Sequence, residues 1–149
     1  MKSTEKKVQT PTLKSTAEKY FADGYCCSEA IVLATVDQYQ LPLDTELAQA
    51  SASGLCGGMG GQQASCGVFT GGAIAIGLVL GKGVKKDQHI KSLSAHFFEQ
   101  LEQHAGGHLC QQLKKKMGLK NWNGSRCRKL TADGGEILQT ILDRQLDRS

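Results

Sequence analysis

A block of glycines near the middle of the chain limits what this sequence can fold into. Residues 54–61 read Gly-Leu-Cys-Gly-Gly-Met-Gly-Gly, so five of these eight positions are glycine. Ordering a glycine in a helix or strand costs more backbone entropy than ordering any other residue. The block therefore predicts an irregular loop that divides the chain, and such a loop stays ordered only where a structural or chemical requirement holds it in place.

The segment after the block is apolar and rich in small residues. It runs from Cys66 to Leu80 and carries Gly67, Gly71 and Ala75 at intervals of four. Its Ile and Val residues would also suit a β-strand, which is the competing interpretation. The interval of four favours a helix, and its small residues let another backbone approach closely, from the same chain or from a second subunit.

The rest of the chain has the apolar spacing and the end signals of helices. Six further helices are predicted: one starting near Thr10-Pro11, one over residues 27–36, one over 45–53, one after Asp87 that ends at Gly106-Gly107, one over 108–117 and one after Cys127. No pair of strands and no alternation of strands with helices is apparent. The predicted fold is an all-α bundle of six or seven helices, with the glycine-rich loop beside a cysteine cluster.

Length and charge indicate one domain and exclude some partners. The 149 residues suffice for a core, with residues 1–12 a flexible N-terminus and 13–149 a single helical domain. The net charge of +4 is mild and spread along the chain, which does not favour nucleic acid as a partner. No run approaches the roughly 20 apolar residues of a membrane-spanning helix. The N-terminal residues lack the apolar stretch of a signal peptide, so we expect a cytoplasmic protein.

Six cysteines are the main chemical feature of the chain. Because disulfide frameworks are rare in a reducing cytosol, metal ligation or thiol redox chemistry gains weight. The sequence contains no Cys-x-x-Cys pair, but four cysteines lie at or near predicted helix starts: Cys27, Cys66, Cys110 and Cys127. A helix N-terminus stabilises a thiolate, which favours both metal binding and nucleophilic attack. If these four helix starts converge, the four thiols form a site.

The other two cysteines are weaker candidates. Cys26 would point about 100° away from Cys27 around a helix, so both cannot face one site. We expect Cys26 to behave as a small buried residue. Cys56 lies inside the glycine block and is either a small buried residue or an accessory thiol.

Five short stretches carry a resemblance to a known family. They are Gly24-Tyr-Cys-Cys-Ser-Glu-Ala-Ile31, the Gly-Gly-Met-Gly at 57–60, Cys66-Gly-Val-Phe-Thr-Gly71, Leu109-Cys110 and Arg126-Cys127. Together they resemble the C_GCAxxG_C_C family, described as redox-active, over roughly residues 14–142. The four signature cysteines of that family match Cys27, Cys66, Cys110 and Cys127. One departure is Val68, where the family usually has alanine.

The resemblance implies a redox function carried by these four cysteines. The same cysteine pattern occurs in split-Soret cytochrome c, where a cysteine cluster separate from the haems is assigned an iron–sulfur centre. The implied function is electron transfer through an iron–sulfur cluster, or else thiol–disulfide cycling with the same four cysteines as catalytic residues. Haem is not expected, because the chain contains no Cys-x-x-Cys-His.

Glycines near the cysteines are candidates for binding the cofactor. Backbone N–H groups tune iron–sulfur clusters through hydrogen bonds to sulfur, and glycine allows the closest approach. The candidates are Gly57, Gly58, Gly60, Gly61 and Gly67.

Two other classes of function stay open from the sequence. One is a structural zinc site with the same four thiolates as ligands. The other is a non-catalytic accessory protein of a transporter or oxidoreductase system, in which the basic run Lys114–Lys116 attracts an acidic redox partner. We also expect a homodimer, whereas the sequence names no redox partner and does not decide whether the protein is an enzyme.

Overall fold

The structure is a computed structural model that describes residues 10–121 and 123–147. Seven α-helices lie in the described chain: α1 Leu13–Ala22, α2 Cys27–Gln38, α3 Thr45–Ser53, α4 Gly67–Leu80, α5 Gln88–Ala105, α6 Cys110–Met117 and α7 Ser125–Asp147. A short 3-10 helix at Gly118–Asn121 follows α6. The described residues form no strand, which confirms the all-α prediction. Residues 1–9 of the expected flexible N-terminus lie outside the described residues.

The glycine block is a series of turns, as predicted. The four glycines within residues 57–61 all have positive φ, a conformation that glycine adopts without the steric strain of other residues. Backbone hydrogen bonds hold these turns together. The N–H of Gly60 donates to the carbonyl oxygen of Gly54 at 2.9 Å, and the N–H of Ala64 donates to that of Gly58 at 3.0 Å. The loop is therefore an ordered part of the fold.

The apolar segment after the block is a helix, α4, and its small residues lie against other helices of the same chain. A Cβ atom on Gly71 would lie 2.9 Å from the carbonyl oxygen of Ser28 in α2 and 3.0 Å from its Cα. A Cβ atom on Gly72 would overlap the ring of Phe97 in α5. The small residues thus serve packing within the chain.

Helix α2 is the most deeply buried helix of the fold. All residues from Ser28 to Val36 are buried, so α2 is enclosed on nearly every side. One side of α2 contributes to the main core, and the other packs with α3 through Val32, Leu33, Val36, Ala48 and Ala52. Burying each large apolar side chain contributes about 1.5–3 kcal/mol. The start of α2, which carries Cys27, is therefore held firmly in place.

Helix α1 starts later than the sequence predicts. Its first residue is Leu13, and Thr12 caps it, whereas the expected start was Thr10-Pro11. The reason is a reciprocal cap. The Thr12 side chain accepts a hydrogen bond from the N–H of Ser15, and the Ser15 side chain accepts one from the N–H of Thr12.

No helix in residues 10–121 or 123–147 combines the length and the apolar character needed to cross a membrane.

Replacing Gly71 with alanine tests the close packing of α4 on α2. The new methyl group would press on the Ser28 backbone, which cannot move aside as a flexible side chain can. We expect Gly71→Ala to lower the free energy of unfolding by about 1–3 kcal/mol, measured by urea denaturation.

The matched control is Gly77→Ala in the same helix, where a Cβ atom meets nothing within 4 Å. This control should raise the free energy of unfolding by up to about 1 kcal/mol, because alanine is the better helix former. Equal effects of the two substitutions would contradict the packing described here.

Candidate functional site

A short backbone pairing brings Cys66 and Cys110 to the same place. Ser65 and Leu109 form an isolated antiparallel bridge, and the N–H of Cys66 donates to the carbonyl oxygen of His108 at 2.8 Å. Because the chain is extended at this bridge, α6 begins at Cys110 and not at His108, where the sequence predicted its start. Cys66 caps α4, so two helices start side by side.

Asn121 positions the fourth cysteine of the pattern. Its side-chain oxygen accepts hydrogen bonds from the N–H groups of Arg126 and Cys127 at 3.0 and 3.1 Å, and its Nδ2 donates to the Cys127 sulfur at 3.2 Å. The sequence predicted that the last helix starts after Cys127. Helix α7 begins earlier, at Ser125, so Cys127 lies in its first turn. Sequence reasoning missed Asn121, because it lies four residues before the start of α7 and not at the N-cap position, where asparagine is a recognisable signal.

The four cysteines line a single cavity of about 420 Å³. Cys27 and Cys110 are the first residues of α2 and α6. Most of the remaining wall is apolar, and includes Phe21, Val68, Leu113, Met117 and Leu130. The cavity thus combines four thiols with a largely apolar lining.

Gly67 lies directly against the sulfur of Cys27. A Cβ atom at this position would be 2.5 Å from that sulfur, so a side chain here would displace it. The N–H groups of Gly67 and Ser28 donate hydrogen bonds to the Cys27 sulfur. Of the predicted cofactor-binding glycines, Gly67 has the clearest contact with a cysteine.

The other predicted glycines divide into two groups. Gly57 lines the cavity, and a Cβ atom on Gly58 would lie 2.9 Å from the Cβ atom of Cys110. Gly60 and Gly61 are exposed, and their N–H groups donate to carbonyl oxygens within the loop. Those two N–H groups are therefore already engaged and are not free to bind a cofactor.

Val68, the departure from the family pattern, fits the wall of the cavity. It is 1% exposed, and its Cγ1 atom occupies the space that a Cβ atom on Gly134 of α7 would need. The absence of a side chain at Gly134 thus accommodates the larger residue at position 68.

The surroundings of Cys27, Cys66 and Cys110 shift the pKa values of these three thiols. A hydrogen bond from Cys66, together with nearby backbone N–H groups, lowers the pKa of Cys27 to about 7 despite its burial. The same hydrogen bond and burial raise the pKa of Cys66. Burial raises the pKa of Cys110, which the Lys114 ammonium group opposes and the charges of Cys27 and Cys127 reinforce. Of Cys27 and Cys66, Cys27 is therefore the thiol that ionises first.

The distances between the four cavity sulfurs can be compared with those in a zinc site that has four thiolate ligands. Among the described residues, the one group of three or more ligating side chains whose ligand atoms all lie within 4.8 Å of one another is Cys26, Glu29 and Cys56. No three of the four cavity sulfurs are therefore that close. Zinc bound at about 2.3 Å by four thiolates needs its sulfurs about 3.8 Å apart. The described arrangement is therefore wider than that of a tetrahedral zinc site with four thiolate ligands.

Cys26 and Cys56 form a disulfide, with their Cα atoms 5.7 Å apart. The expectation that Cys26 is a small buried residue is wrong, because its sulfur is bonded to that of Cys56 and the residue is only partly buried. Cys26 precedes α2 in an extended conformation and is among the residues that line the cavity. The two partners are 30 residues apart, and no local spacing in the sequence indicates their pairing.

The fold and this cavity define an all-α protein with a four-thiol site. Residues 25–141, most of the 149-residue chain, match the family described as "Putative redox-active protein (C_GCAxxG_C_C)", and the protein belongs to this family. The resemblance found in the sequence is thereby confirmed. No curated protein and no solved structure gives a significant match.

The ionisation of Cys27 can be followed by its reactivity in metal-free protein. Because only the thiolate reacts, alkylation of Cys27 by iodoacetamide should be slow below pH 7 and should rise through a midpoint near the pKa of about 7. Peptide mass spectrometry across a pH series measures the rate. An unperturbed cysteine has its midpoint at about pH 8.5.

Gly67→Ala provides the comparison variant, because its methyl group would push the Cys27 sulfur away from the N–H groups that stabilise the thiolate. The midpoint for Cys27 should then move upward, while Gly77→Ala leaves it unchanged. A wild-type midpoint at or above that of an ordinary cysteine would contradict the described environment.

Proposed function

We propose that the protein transfers electrons through an iron–sulfur cluster bound by Cys27, Cys66, Cys110 and Cys127. The observation that carries this proposal is the placement of these thiols at four separate helix starts around one cavity. Cysteine thiolates are the usual ligands of such clusters. The redox-active description of the family supports the same class of function.

The residues around the thiols suit this role. Helix starts stabilise the thiolates as ligands, and the N–H groups of Gly67 and Ser28 point at the Cys27 sulfur. Hydrogen bonds of this kind set the reduction potential of a cluster. The apolar wall limits the access of water, and a bound cluster would supply one-electron transfer at this place.

The exposed lysines of α6 support docking of a redox partner. Lys114 lines the cavity, and Lys115 and Lys116 follow it in the last turn of the helix. A positive surface at the mouth of a redox site attracts an acidic partner and orients it. We therefore propose an acidic electron-transfer protein as the partner. A non-catalytic accessory protein would dock on an oxidoreductase through the same lysines.

A second candidate function is thiol–disulfide cycling between Cys27 and Cys66. The specific observation in its favour is the hydrogen bond between these two thiols, which lowers the pKa of Cys27 to about 7. A thiol with its pKa near neutrality is an effective nucleophile. This function needs two of the four cysteines, whereas the cluster explains why all four line the cavity.

A structural zinc site is the third candidate, with the same four ligands. It would require the sulfurs to move closer together than the described arrangement places them. The spacing therefore favours the cluster over zinc.

Two matched cysteine variants test the proposal. Cys66→Ser removes a thiol of the cavity, and Cys56→Ser removes a thiol whose sulfur does not line it. After anaerobic reconstitution with iron and sulfide, Cys66→Ser should bind much less iron than wild type, since the loss of an outer-shell partner already weakens metal affinity by about tenfold or more and the loss of a ligand weakens it further. Cys56→Ser should retain most of the iron.

Iron and acid-labile sulfide are measured per chain in each variant, with circular dichroism to establish that both remain helical. Equal iron content in the two variants would overturn the assignment of the four ligands.

A further inference from the structure

The Cys26–Cys56 disulfide lies beside the four-thiol cavity but belongs to none of the functions proposed above. Cys26 is the residue immediately before α2, and Cys56 lies in the glycine loop. Buried Glu29 joins the two, since its Oε1 atom accepts a hydrogen bond from the N–H of Cys26 at 3.0 Å and lies 3.5 Å from the Cys56 sulfur. The disulfide thus lies beside a buried carboxylate, at the edge of the cavity.

We propose that Cys26 and Cys56 are a second redox centre of this protein, a disulfide that exchanges with an external dithiol entering the cavity. None of Cys27, Cys66, Cys110 and Cys127 reacts in this exchange, but the donor enters the cavity that these four thiols line. The exchange is therefore measured on protein without a bound cluster.

The two cysteines are both partly buried but differ in their position relative to the cavity. Cys26 is among the residues that line the cavity of about 420 Å³, and Cys56 is not. A thiolate that enters the cavity therefore meets Cys26 first, and Cys56 is then the leaving group. Cys26 also stands at the N-terminal end of α2, where the helix stabilises its thiolate when it is released in the second step.

The fold at this point does not depend on the sulfur–sulfur bond. The hydroxyl group of Ser28 donates to the carbonyl oxygen of Ala52 at 3.0 Å, which joins the start of α2 to the end of α3. The side-chain amide of Gln49 in α3 donates to the carboxylate of Glu29. These contacts and the buried interface of α2 with α3 remain after reduction. The two cysteines therefore stay neighbours, and the disulfide can open and close without refolding.

The exchange proceeds in two balanced steps. A donor thiolate attacks the Cys26 sulfur, a bond forms between them, and Cys56 leaves with the electron pair of the broken disulfide. Cys56 then takes up a proton, and the resulting thiol donates a hydrogen bond to Glu29. The second donor thiolate attacks the donor's first sulfur and releases Cys26, which is protonated in turn. Two electrons and two protons pass from the donor to the protein, and the donor leaves as a disulfide.

The donor is a dithiol because the second attack must occur within the cavity. The cavity is partly enclosed and largely apolar, so a second separate thiol enters it poorly. A thiol tethered to the first is present at a high effective concentration. The dithiol is either a small molecule or a pair of cysteines on another protein, and the two sources are tested separately.

The first experiment uses the wild-type protein without denaturant. It is incubated with dithiothreitol or, in a second arm, with reduced thioredoxin, and then alkylated and mapped by peptide mass spectrometry. Cys26 and Cys56 should change together from unlabelled to labelled in at least one arm, with an unchanged circular dichroism spectrum. A cyclic oxidised dithiol should return both to the unlabelled state. Reduction in the first arm alone indicates a small dithiol, and reduction in the second indicates a protein donor.

A pair of variants identifies the attacked sulfur. In Cys56→Ser, an oxidised dithiol should form a mixed disulfide on Cys26 at least about tenfold faster than it does on Cys56 in Cys26→Ser, as expected for a sulfur open to the entering reagent. When wild type and Cys66→Ser are compared in metal-free form, Cys66→Ser should leave the exchange at Cys26 and Cys56 unchanged, which separates this centre from the proposed cluster.

Three results would overturn the proposal. They are labelling of Cys26 and Cys56 before any reductant is added, reduction that requires denaturant in both arms, and loss of the helical spectrum on reduction.

Discussion

The close approach of α4 to the start of α2 is the contact on which the rest of the site depends. Gly71 lies against the backbone of Ser28, and Gly67 lies against the sulfur of Cys27. A side chain at either glycine would separate the two helices and move Cys27 away from Cys66. Gly67 and Gly71 therefore determine both how closely α4 packs on α2 and where the Cys27 sulfur lies.

The glycine block explains how a loop can be both irregular and ordered. Its positive φ angles turn the chain back on itself, so that Gly58 lies under Cys110 and Ser65 pairs with Leu109. Hydrogen bonds within the loop offset part of the entropy of ordering its glycines. The loop thus builds one wall of the cavity and holds Cys56 beside Cys26, which gives the protein a disulfide next to a set of free thiols.

Features that depend on neighbouring residues could be predicted from the sequence, and features that depend on distant contacts could not. Asp44 and Asp87 cap α3 and α5 as their spacing indicates, because capping is local. The bridge that starts α6 joins segments more than 40 residues apart, and periodicity carries no signal for it. The prediction for Cys26 was wrong because it placed this residue inside the helix. Cys26 is the residue immediately before the first helical residue, so the angular spacing of helical side chains does not apply to it.

The iron–sulfur proposal is tested most directly by the metal content of protein purified without oxygen. We expect a brown protein whose visible absorption bleaches on reduction with dithionite, and which contains iron and acid-labile sulfide in similar amounts. A colourless protein that carries about one zinc ion per chain, or neither metal nor sulfide, would contradict it.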